Sequence, residues 1–155
     1  MRRRFHDLLG FGHESYMVLL ALSLFAWHTY HSRGVDARRV LREILVGSDW
    51  FKKRVEASIL TYMDSYGYLY FKCQSPFWRP GGWRRCPKDW EVTVPGYARL
   101  QQLLDSLGLR VEDVLKQPDP HSVKRLLDER IRLFYREHWE RVRRYEEYVS
   151  REAGL

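Results

Sequence analysis

The chain has 155 residues, with 27 Lys and Arg against 20 Asp and Glu, for a formal net charge of +7. That length holds one core with an appended helix, and not two full domains. A composition 45% hydrophobic and 15% aromatic excludes a wholly disordered chain, and two cysteines exclude both a disulfide-dense scaffold and a four-cysteine zinc site.

The charge is unevenly spread. Residues 1–60 carry 10 basic and 6 acidic side chains, residues 61–100 carry 6 and 3, and residues 101–155 carry 11 of each. The excess therefore lies in the first hundred residues, beginning with a basic arm at 1–12. Met17 to Trp27 (MVLLALSLFAW) is an uncharged apolar run. It is shorter than the roughly 20 residues of a membrane span, and no small-residue cleavage site follows it. The run reads as the central helix of a small core in a cytoplasmic chain, extending from His13 to His31.

Asp36 is placed to cap a second helix from Ala37 to Leu45, with Ala37, Val40, Leu41 and Ile44 inward. Arg38, Arg39 and Arg42 face outward on it. After Gly47, Ser48 or Asp49 caps a third helix, 49–65, on which Phe51, Val55, Ile59 or Ser58, Tyr62 and Met63 recur at helical spacing. Lys52, Lys53, Arg54 and Glu56 crowd its first turns. Cations there oppose the helix dipole, so they suit either a solvated face or an anionic partner.

Beyond Gly67 the period changes. Tyr68 to Cys73 and Trp90 to Val94 read as two strands, which must lean on the helices to be stable. The loop between them, 74–89, holds Arg79, Arg84, Arg85 and Lys88 among Phe77, Trp78 and Trp83. A fourth helix follows from Tyr97 to Leu107, then a linker at 108–120 with one helical turn and the breaker Gln117-Pro118-Asp119-Pro120. The tail, 121–155, is a long helix whose stripe is Leu127, Ile131, Phe134, His138, Val142, Tyr145 and Val149. It outruns any core this small, which points to a second copy of the chain as its partner.

Helix, helix, turn, helix, two strands and helix is the order of a winged helix-turn-helix domain. "ASILTYMDSYGYLY" (57–70) resembles a recognition helix running into the first wing strand. "WEVTVPGYARLQQLL" (90–104), with Thr93, Gly96, Leu100 and Leu104, resembles the second wing strand and next helix of the PadR-like and MarR-like transcriptional regulators. The resemblance covers residues 13–107 and matches the tail in kind. It implies a mainly α fold with a small β hairpin, binding double-stranded DNA as a homodimer through the C-terminal helix, with the third helix in the major groove. On that reading Ser48, Trp50, Lys52, Lys53 and Arg54 face the groove. Arg38, Arg39 and Arg42 cross a phosphate strand, and Arg79, Arg84, Arg85 and Lys88 form the wing's contact.

Cys73 and Cys86 close the loop as a disulfide, as a reducing compartment's free thiols, or with zinc, although no His in the loop completes a zinc site. There is no Gly-rich phosphate loop, His-Glu metal motif or nucleophile elbow, so no enzyme, cofactor or metal is expected. Two alternatives stand beside DNA binding. One is a winged-helix protein-interaction or structural module of a partition, recombination or virion assembly. The remoter one is a HEPN-like helical nuclease built on Arg132, His138 and Tyr145.

Overall fold

A computed structural model of the chain describes residues 13–73 and 81–152. The N-terminal arm at 1–12 and Arg79, Phe77 and Trp78 of the loop lie outside the described residues. The described chain is mainly helical: α1 (His13–His31), α2 (Ala37–Arg42), α3 (Asp49–Ser65), β1 (Leu69–Phe71), α4 (Gly82–Arg85), β2 (Trp90–Val92), α5 (Val94–Asp105), α6 (Val111–Leu115) and α7 (Pro120–Glu152).

The apolar run in α1 makes it the hub. Every residue from Val18 to His28 is buried, and α2, α3, β2, α5, α6 and α7 all pack on it. No helix among the described residues is long and apolar enough to cross a membrane. Burying a Leu or Phe fully stabilises by about 1.5–3 kcal/mol, so this one helix supplies much of the hydrophobic driving force. Its buried polar atoms are sparingly served: His28 Nε2 lies 3.4 Å from Glu43 Oε2, while Ser23 Oγ and His28 Nδ1 have no hydrogen-bond partner among the described residues.

Asp36 caps α2 by accepting from the Arg38 N–H, and Ser48 Oγ accepts from Phe51 N at the start of α3. Helix α2 stops at Arg42, three residues short of the expected Leu45, yet Ile44 and Leu45 are still buried. Glu56 departs further from expectation. It does not join the exposed charges of α3 but is 2% exposed, turned towards α2.

The hairpin is antiparallel, pairing Leu69 with Val92, Tyr70 with Glu91 and Phe71 with Trp90. Leu69 and Phe71 face inward and Tyr70 outward, as the alternation required. Trp90 anchors the sheet: its Nε1 donates to the Val35 carbonyl at 2.7 Å, and its ring meets Phe25 edge-on at 4.8 Å. Thr93 does more than end β2. Its hydroxyl donates to the Gly67 carbonyl and accepts from Gly96 N, so it caps α5 and ties it to the turn after α3. Gly96 is buried so close to that turn that a Cβ there would lie 2.4 Å from the Tyr68 carbonyl oxygen. Helix α5 accordingly starts at Val94, three residues before the expected Tyr97.

Two stretches are less open than the sequence suggested. Part of the loop between the strands folds back as α4, with Trp83 buried in the core. Gly81 N donates to the buried Asp64 at 3.0 Å, and Cys73 and Cys86 are joined in a disulfide with Cα atoms 6.0 Å apart. The stretch read as a linker is packed: Leu109 and Val114 are buried, and Trp27 Nε1 donates to the Gln117 carbonyl at 2.8 Å.

Helix α7 has 33 residues, about 50 Å. Its first third returns to α1, burying Val123, Leu127 and Ile131, and Tyr16 OH donates to Asp128. Burial, reinforced by that carboxylate, holds the Tyr16 phenol well above its usual pKa. Leu127 and Ile131 are therefore core residues of their own chain, not the contacts between copies that the stripe suggested. A helix stripe does not itself say which neighbour covers it.

Candidate nucleic-acid interface

Helix α3 buries Glu56, Ile59, Leu60, Met63 and Asp64. At about 100° per residue, Trp50, Arg54, Ser58, Thr61 and Ser65 fall on one line nearly opposite that stripe, and all five are exposed. The Arg54 guanidinium lies over the Trp50 ring, 5.4 Å from its centroid. Lys53 is exposed beside this line. Lys52 is half-buried on the side towards α2, where it shares a cleft of about 240 Å³ with Arg42, Asp49 and Lys53.

The basic side chains of α2 divide by partner. Arg38 holds Asp36 in an ion pair at 2.9 Å. Burial raises the Asp36 carboxyl, but the hydrogen bonds and charge of Arg38 outweigh it and hold the group below the usual range. Arg42 Nε donates to Glu56 Oε1 at 2.7 Å, compensating a buried carboxylate. Arg39 is exposed and forms no ion pair among the described residues.

On the hairpin side, Arg84 lies over the Trp83 ring at 4.6 Å, and Arg84, Arg85 and Lys88 are exposed. Arg39, Lys53, Arg54, Arg84, Arg85 and Lys88 thus carry charge that no described carboxylate neutralises. The expected contacts Arg38 and Arg42 keep exposed faces but are engaged within the fold. Ser48 is spent on the helix cap.

Sequence reasoning missed Ser58, Thr61 and Ser65. The signal was available: small polar residues recur every three or four positions opposite Ile59 and Met63. An apolar groove of about 510 Å³ runs along this line, with Trp50, Arg54 and Ser58 on one side and Met17, Phe51, Val55, Ile59 and Tyr62 completing its lining.

In the tail, Phe134, His138 and Val142 are half-buried, and Tyr145 and Val149 are exposed. His138 Nδ1 lies 3.0 Å from the Phe134 carbonyl oxygen, with the rings 4.1 Å apart. Arg132 and His138 are six residues apart, about 120° round the helix, so Arg132 lies off the face that His138 and Tyr145 share. Among the described residues no group of three or more His, Cys, Asp or Glu is placed to hold a metal ion. No protein-family model, curated protein or solved structure matches the chain.

Proposed function

We propose that the chain binds double-stranded DNA as a homodimeric transcriptional regulator, using a winged helix-turn-helix arrangement like that of the PadR-like and MarR-like proteins. The observation that carries the reading is the outward line of α3. Trp50, Arg54, Ser58, Thr61 and Ser65 are exposed opposite the helix's buried stripe, and Lys53 in its first turns and Arg39 on α2 form no ion pair among the described residues. A helix of this kind fits the major groove, where Arg reads guanine in bidentate geometry and hydroxyls bond to base edges or phosphates. Arg84, Arg85 and Lys88 then meet the backbone beside it.

The test is fluorescence anisotropy on a sequence selected from random duplexes, against scrambled duplex, single-stranded DNA and RNA. The selected duplex is expected to bind tightest. Arg54→Ala is expected to lose about 1–3 kcal/mol on it and to bind scrambled duplex nearly as before. Equal binding to all four substrates, or no effect of Arg54→Ala, contradicts the reading.

The groove supports a second reading, in which the same face of α3 grips a protein. Trp50 is 68% exposed and Phe51 44%, and large apolar residues beside a groove mark interaction sites. Absence of any selected DNA sequence favours this alternative.

A further inference from the structure

We infer that the distal half of α7 pairs with the same segment of a second copy in antiparallel orientation, about a two-fold axis near Arg141 and Val142. The inference rests on the homodimeric reading above and specifies how the copies meet.

Past Ile131, the last buried residue of α7, the helix continues to Glu152. Tyr145, Tyr148 and Val149 are 68%, 55% and 42% exposed there, continuing the half-buried Val142 and His138 along one stripe. The charge on this stretch is polarised. Residues 132–144 hold five Arg and two Glu, a net +3, and residues 145–152 hold one Arg and three Glu, a net −2. Two parallel helices in register would set like blocks side by side, a repulsion along the whole seam. Reversing one helix about that point sets residues 145–152 of each copy, net −2, against residues 131–138 of the other, which hold two Arg and one Glu; only residues 139–144, net +2, still face their own kind, and the helix dipoles are opposed.

The stripe itself admits that reversal. Phe134, His138, Val142, Tyr145 and Val149 are spaced nearly symmetrically about the point between Arg141 and Val142. The reversed copy therefore sets His138 opposite Tyr145, Phe134 opposite Val149, and Val142 beside itself. A uniformly cationic or acidic partner protein is repelled by one of the two blocks, whereas a reversed second copy meets each acidic end with a segment of opposite net charge. The axis leaves the two Ile131 residues about 32 Å apart along the helix, at roughly 1.5 Å per residue.

The experiment uses the full chain with single cysteines introduced as His138→Cys or Tyr145→Cys, under mild oxidation. The native cysteines are already bonded to each other. Mixing the two variants is expected to give a covalent dimer at least tenfold more abundant than either variant alone. Light scattering of wild-type protein is expected to show a dimer, which Val142→Glu with Tyr145→Glu converts to monomer at unchanged helical circular dichroism. Efficient self-crosslinking of His138→Cys alone, as in a parallel pair, overturns the proposal. So does a wild-type monomer, or a dimer indifferent to the glutamates. None of these readouts involves nucleic acid, so failure here is distinct from failure of DNA binding.

Discussion

Glu56 shows how a single side chain divides structural from functional charge. Its carboxylate is buried between α2 and α3 and is met by the half-exposed Arg42 guanidinium. Removing Arg42 leaves that carboxylate desolvated and uncompensated. Arg42→Ala is therefore expected to destabilise the fold by about 2 kcal/mol, while Arg39→Ala, one turn earlier and unpaired, changes stability by less than about 0.5 kcal/mol. Urea denaturation of both variants checks this, and equal losses would remove the distinction. Both arginines look alike in the sequence, as outward cations of an amphipathic helix. What separates them is Glu56, whose inward turn depends on how α2 and α3 cross, and that crossing is not written in either helix's own pattern. Thr93 and Gly96 were legible only as a resemblance. The close approach of Gly96 to the Tyr68 carbonyl supplies the physical reason for a glycine there.

At the scale of elements, periodicity located both strands and every helix except α4, because those patterns report burial directly. Their ends moved by up to three residues, since caps such as Thr93 depend on partners distant in sequence. The loop between the strands was the least legible element. Its composition is that of a solvated basic wing, yet Trp83 is core and Cys86 is bonded to Cys73. A bridge spanning 13 positions restricts the unfolded chain by about 3 kcal/mol in the loop-closure account. Reduction, or Cys73→Ser with Cys86→Ser, is thus expected to lower the melting temperature by roughly 6–12 °C for a chain of this size. Calorimetry with and without reductant reads this directly. An unchanged melting temperature would mean that the bridge does not contribute to stability. Helix α7 shows a similar limit: one continuous stripe serves the chain's own core as far as Ile131 and is exposed by Tyr145, a division that the spacing alone does not mark.

For the molecule as a whole, the basic side chains held in ion pairs part from those left open on α2, α3 and the hairpin side, with further exposed arginines such as Arg33, Arg130, Arg132 and Arg143 elsewhere. Arg38, Arg42, Lys72, Lys116, Lys124 and Arg144 are held in ion pairs. Among the described residues Arg39, Lys53, Arg54, Arg84, Arg85 and Lys88 form no ion pair, on α2, α3 and the hairpin side of the fold. If those six meet phosphates, each copy releases about six counterions, and log K falls with log salt at a slope of about −5 per copy. The decisive measurement is that slope, from anisotropy titrations on duplex DNA between 50 and 300 mM salt (about the usual working range), for wild type and for Arg84→Ala with Arg85→Ala. The account predicts a steep wild-type slope that the double variant lowers in magnitude by about 2 per copy. Binding that ignores salt, or a double variant with the wild-type slope, would contradict it.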